Sequence, residues 1–374
     1  MSSPKRIINF DLLRILTMFL VVVVHMSYYF SDIRGIRVSA LIFTFAIICD
    51  PIFFFLSGYF SIVKIKTSLK EYYCKKIATI ILPLVVYSIL LYLYSQRMAN
   101  LSISSYLSST ISRVSHGWWF IPTLIPFLII APFLYTSFNA LTDRQVLLIS
   151  KIVFYTFSWG IISGTILWIA QTNNILELTN IFKILTRVLP TWVIPGSGYF
   201  IFFCFGYFYK RLNLILTDVQ KKKLFIIGLV AWVLDIICAY FKINRVDPSY
   251  FWIFNTIAVF IFFNKINIPH SFYNNIILWI SKRTYSIYLL QFTTIYILTQ
   301  LIYTKKVLGD VNAMHFYFRI PIWILTTISA FLLALIFAAI FDYLLLKPIQ
   351  KLFMKFVAYA LRKKPSDDLL RSRN

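Results

Sequence analysis

Long apolar runs alternate with short polar stretches along the chain, and most of the charge sits in those stretches. A helix needs about 20 mainly apolar residues to cross a bilayer. Runs that meet or approach this length lie at 8–29, 40–62, 77–95, 118–138, 146–170, 190–209, 224–241, 250–266, 284–303 and 320–343, the eighth being short. Between the last two pairs of runs, "IPHSFYNNIILWISKR" (268–283) is amphipathic and suits a helix lying along the membrane interface. The pattern predicts an all-α, polytopic membrane protein. Residues 1–346 are expected to form one domain of about ten helices, and 347–374 a basic tail.

Composition agrees. Of 374 residues 60% are hydrophobic, 19% aromatic and only 13% charged, whereas soluble domains are about 45–50% apolar and about 25% charged. A water-soluble core has no room for 37 Phe and 24 Tyr. Lys5 and Arg6 resemble the start of a signal peptide, but the apolar run is too long and lacks a small-residue cleavage site, so the first helix is expected to persist. The four cysteines, Cys49, Cys74, Cys204 and Cys238, match neither a zinc-ligand spacing nor a disulfide framework and read as small buried hydrophobes.

The net charge of +24 is distributed unevenly. Lys64, Lys66, Lys70, Lys75 and Lys76 follow the second run, Lys210, Arg211 and Lys221–Lys223 follow the sixth, and the C-terminal tail is basic. The intervening connections carry much less. Basic residues gather on the cytoplasmic side, so both termini are expected there. The charge then serves topology and attraction to anionic membrane lipid, not nucleic acid. With no long segment outside the runs, any chemistry must occur within the bundle or at its mouths.

Ionisable residues inside a membrane usually face a cavity or a partner. Arg14 and His25 stand eleven residues apart in the first run. At 100° per residue they share one helix face, ~16 Å apart along the axis. Asp11, one turn before Arg14, is placed to hold its guanidinium. Asp50, in "CDPIFFFLSGYF", is placed to pair with Arg14, to orient His25, or to serve structure alone, and Pro51 weakens the helix beside it. Ser57 and Gly58 allow close helix approach at about the depth of Arg14. Lys70, Lys75 and Lys76 sit at the cytoplasmic mouth of the third run, where topology alone accounts for them and where they also suit an anionic donor's phosphates. In "SHGWWFIPTLIPF", Trp118 and Trp119 fit an interfacial aromatic belt; with His116 beside them they equally suit a sugar-stacking substrate site.

Together these stretches resemble the integral-membrane acyltransferase-3 family, which includes O-acetyltransferases of bacterial surface polysaccharides and peptidoglycan. The resemblance rests on "FDLLRILTMFLVVVVHMS" (10–27), "DPIFFFLSGYF" (50–60), "HGWWFIPTLIPFLIIAPFLY" (116–135) and "SKRTYSIYLLQF" (281–292), in the family's order, with "YFIFFCFGYFYKR" (199–211) resembling its sixth helix. It implies transfer of an acyl group, usually acetyl from cytosolic acetyl-CoA, to a carbohydrate hydroxyl, at the plasma membrane of a bacterial cell. The partners implied are membrane lipid, acyl-CoA, a surface polysaccharide or lipid-linked glycan and envelope-polymer assembly proteins; no metal is called for. Carried over, it puts Arg14, His25 and Asp50 in the catalytic site. Ser57, Gly58, Lys70, Lys75 and Lys76 fall on the donor side, and His116, Trp119, Tyr288 and Gln291 near the acceptor. Two features depart from the family: Lys75 and Lys76 replace frequent arginines, and Gln291 stands where many relatives have histidine. No hydrolase-like domain follows the tenth run, so a hand-off to a second transferase is expected to need a separate protein.

In the mechanism this implies, the lysines hold the donor's phosphates and His25 removes a proton from the acceptor hydroxyl or carries the acyl group itself. Arg14, ~16 Å away, is a donor-side residue. The competing readings are a flippase for a lipid-linked sugar, which needs no thioester donor, and a non-catalytic partner in polymer export.

Overall fold

The structure, a computed structural model, describes residues 7–362 apart from 31, 34, 98–100, 190, 192–197, 244–245, 267, 269–271, 305–310 and 312–313. Lys5 and Arg6, the first part of the run at 190–209 and the end of the basic tail (363–374) lie outside the described residues.

Every named regular element among the described residues is helical. In chain order they are α1 (Ile8–Ser27), α2 (Val38–Ala46), α3 (Cys49–Ser61), α4 (Leu69–Lys76), α5 (Leu82–Ser95), α6 (Ile103–His116), α7 (Phe120–Asn139) and α8 (Asp143–Thr172). There follow α9 (Leu176–Val188), α10 (Gly198–Ile215), α11 (Asp218–Tyr240), α12 (Trp252–Lys265), α13 (Phe272–Ser281), α14 (Thr284–Thr299), α15 (Phe316–Phe341) and α16 (Lys347–Arg362). Eight helical segments among the described residues are long and apolar enough to cross a membrane, with α2–α3, α4–α5 and α15–α16 each counting as one. The other two predicted runs are α10, of 18 residues, and α12, of 14, which are largely buried inside the bundle. The chain is therefore a polytopic, all-α membrane protein.

Two departures from regular helix lie close to the site. The second run breaks at Ile47–Ile48, so α3 starts afresh at Cys49 with Asp50 and Pro51 in its first turn. Proline is tolerated there because the first-turn N–H groups have no intrahelical partner, and a carboxylate is favoured by the positive end of the helix dipole. A π-helical turn at Ile77–Ile81 joins α4 to α5 just before Pro83. Side chains from elsewhere reach carbonyls in that turn: Tyr285 Oη donates to Ile80 O (3.0 Å) and Gln350 Nε2 to Ala78 O (2.8 Å). Such groups have no water to turn to within a membrane.

The closest helix crossing joins α3 to α10. A Cβ on Gly58 would lie 1.7 Å from the carbonyl oxygen of Phe203, and one on Gly206 would lie 2.2 Å from that of Phe55. Only glycine lets these two backbones meet, the usual use of small residues between membrane helices. Phe54, Phe55, Phe202, Phe203 and Phe205 are buried around the crossing. Trp118, by contrast with the interfacial belt its sequence context predicts, is 2% exposed and belongs to an apolar cluster that also contains α1 and α14 side chains. Within the amphipathic stretch at 268–283, Phe272–Ser281 forms a helix, α13, whose last residue, Ser281, is tied into α1.

Candidate active site

A cavity of about 410 Å³ opens between α1, α3, α7 and α14, within the usual range for small-molecule sites. Arg14 and His25 both line it, as their shared helix face predicts. Asp50, Ser57, His116, Trp119 and Tyr288 line it too, so seven of the sequence-predicted site residues are brought together.

At the Arg14 end the groups are interlocked. Arg14 Nη1 donates to Asp11 Oδ1 (3.1 Å) and to Ser281 Oγ (3.3 Å), and Ser281 Oγ donates to the same carboxylate oxygen (2.5 Å). Asp11 is 3% exposed; a buried carboxylate this deep needs such partners. The guanidinium also lies over the Phe60 ring, 5.4 Å from its centroid. Two further cations gather on the neighbouring residues of α3: Lys76 Nζ donates to Ser61 Oγ (3.3 Å), and Lys210 Nζ sits 5.3 Å from the Tyr59 centroid. The last turn of α3 thus has three cations around it, where the negative end of the helix dipole favours them.

At the other end His25 stacks on Phe292 (centroids 4.3 Å apart) and makes no hydrogen bond among the described residues. His116 Nδ1 lies 3.0 Å from Ser112 O, and Tyr288 Oη donates to Gly117 O (3.2 Å). Cys49 Sγ lies 3.5 Å from Asp50 Oδ1. The wall here is aromatic: Trp119 packs on Tyr199 (5.3 Å) and Phe54 (6.2 Å).

The remaining predicted residues sit elsewhere. Gly58 faces α10 rather than the cavity. Lys75 pairs with Glu71 (2.6 Å), and Lys70 is exposed on the same helix. Lys76 also edges a separate, nearly all-apolar groove of about 380 Å³ between the π-helical turn and α7. Gln291 is 0% exposed, and neither atom of its amide has a hydrogen-bond partner among the described residues.

The membrane-embedded carboxylates now separate. Asp235 accepts from Ser249 Oγ (3.0 Å) and Trp252 Nε1 (2.9 Å). Asp342 accepts from Tyr87 Oη (2.8 Å) and Ser286 Oγ (2.7 Å). With Asp11 these brace helices, and Asp50 is the one of the four that lines the cavity. Sequence reasoning missed Ser281, Lys210 and Asp247. Ser281 lies in a quoted motif, but its contact with α1 is long-range; Lys210 reads as a topology charge; Asp247 sits in a loop without a motif.

Comparison with curated proteins finds no match, and comparison with solved structures finds none. Residues 7–343 match the model of the acyltransferase-3 family's acyltransferase domain, nearly the whole described chain. It includes both ends of the cavity and each helix that lines it. The chain belongs to the acyltransferase-3 family and is a multi-pass membrane acyltransferase.

Proposed function

We propose that the protein moves an acetyl group from cytosolic acetyl-CoA to a hydroxyl of a cell-surface or lipid-linked carbohydrate, in a bacterial plasma membrane with both termini in the cytoplasm. The observation that carries this reading is a cavity with different chemistry at its two ends. Arg14 and Ser57 line one end, with Lys76 and Lys210 nearby around the last turn of α3, and His25, His116 and Trp119 line the other. Phosphates are bound by clustered cations; sugar rings stack on aromatic faces and are deprotonated by an imidazole.

The donor's diphosphate lies near Lys76 and Lys210, and its thioester arm runs past Arg14 and Ser57 toward His25. The ~16 Å between Arg14 and His25 is a span for an extended arm, not for one reacting atom. At the His25 end the imidazole takes the hydroxyl proton as the oxygen attacks the thioester carbonyl carbon. The carbon–sulfur bond breaks, and the departing thiolate takes a proton to leave as CoA-SH. Arg14, held rigidly by Asp11 and Ser281, orients the donor and spends no energy on its own ordering.

The test is transfer of radiolabelled acetyl from acetyl-CoA to envelope carbohydrate by membranes carrying the wild type or His25→Ala at equal protein level. Label in carbohydrate with the wild type and its loss in the variant support the reading. Equal label in both would sink it, and a flippase would give none in either.

A further inference from the structure

The connection between α11 and α12 supplies a group that none of the steps above uses. Asp247 is exposed, yet its side chain lines the cavity beside Asp50, His116 and Trp119. It is held there: Tyr199 Oη, from the first turn of α10, donates to Asp247 Oδ1 at 2.6 Å. The Tyr199 ring is fixed in turn between Trp119 (5.3 Å) and Phe54 (4.7 Å).

An ionised carboxylate has only acceptor sites, about four lone pairs on two oxygens. Tyr199 occupies one of them, and Asp247 is exposed. An accessible carboxylate beside an aromatic wall matches a sugar ring, whose C–H face is apolar and whose edge carries hydroxyl donors. Hydrogen bonds to an ionised acceptor are roughly twice as strong as neutral ones, so this group has leverage over how such a ring sits.

We propose that Asp247, positioned by Tyr199, binds hydroxyls of the acceptor sugar and so selects which hydroxyl reaches His25. This rests on the carbohydrate-acceptor reading above. Asp247 is an acceptor-binding residue, and Tyr199 acts through it. No proton or acyl group passes through either.

The experiment uses full-length protein produced at equal levels as wild type, Asp247→Asn, Asp247→Glu and Tyr199→Phe. Base-released acetate from purified envelope carbohydrate is measured, with the position of the acetyl group read by NMR, and acetyl-CoA binding is measured on the purified protein in nanodiscs. Asp247→Asn is expected to lower carbohydrate acetate at least tenfold and to spread the remaining acetyl over more than one hydroxyl. Tyr199→Phe, which keeps the ring but loses the hydrogen bond, should lower it about threefold with the same spreading, and Asp247→Glu should recover part of the loss. Acetyl-CoA binding should stay within twofold throughout. Asp247→Asn and Tyr199→Phe with acetate within twofold of wild type and the same position acetylated would overturn the proposal. So would a loss of donor binding that parallels the loss of acetate, since that marks a structural role. If wild-type cells give no more base-released acetate than cells lacking the protein, the carbohydrate reading itself falls, before any variant is compared.

Discussion

The two ends of the cavity are built on opposite principles. Around Arg14, Asp11 and Ser281 are satisfied by one another. Around His25 the ring has an aromatic neighbour and no hydrogen bond among the described residues. A half-buried cation left loose would move, so its end is braced. An imidazole that must accept a proton from substrate needs at least one nitrogen that no other group occupies. The lesson is that ionisable residues on one helix face need not share a role: one end is organised in advance to bind, the other is left open to react.

The largest expected effect comes from removing the open end. His25→Ala should lower acetyl transfer by about 10²–10⁴-fold, the range for loss of a general base, with acetyl-CoA binding kept. A fall in donor affinity as large as the fall in turnover would erase the distinction between the ends.

Next is Arg14→Lys, which keeps the charge but loses the planar fork. Turnover should drop about tenfold, with the apparent KM for acetyl-CoA raised, measured in reconstituted membranes. A change in acceptor KM alone would move Arg14 to the other end.

Ser281→Ala leaves Asp11 short of one partner. Loss of a hydrogen bond to a charged group costs about 1.5–3 kcal/mol, so the melting temperature in detergent should fall by a few degrees and activity about threefold. An unchanged melting temperature would show the network to be incidental.

The smallest effect is expected at Gln291. Its amide is buried without a hydrogen-bond partner among the described residues, and burying such a group is costly. Gln291→Leu should leave transfer within twofold and the melting temperature equal or higher. A large loss of transfer would instead return Gln291 to the acceptor site, where its place in "SKRTYSIYLLQF" puts it.

Much of the fold was legible beforehand because a bilayer penalises each polar backbone group that a helix does not satisfy. The runs at 77–95, 146–170 and 284–303 fall within the helical segments Leu69–Ser95, Asp143–Thr172 and Thr284–Tyr303. Helix ends were less legible. Nothing in "FTFAIICDP" says that the chain breaks at Ile47–Ile48 rather than at Pro51, since the break depends on what surrounds Asp50. Trp118 illustrates the same limit: a tryptophan at a helix start reads as an interfacial anchor, and only its neighbours show that it is enclosed.

By itself, then, the sequence determined the helical runs, the membrane class and the shared face of Arg14 and His25, because hydrophobic run length and the 3.6-residue period are local properties of the chain. Tertiary structure alone decided which neighbour each face meets. Ser57 and Gly58 are adjacent, yet one step of about 100° turns Ser57 to the cavity and Gly58 to α10. Asp11, Asp235 and Asp342 brace helices while Asp50 lines the cavity, although all four look alike as acids in apolar runs. Asp247 reaches that cavity from a loop nearly two hundred residues away in sequence. Such pairings depend on how the helices are arranged around one another, and a helix's own periodicity carries no record of that.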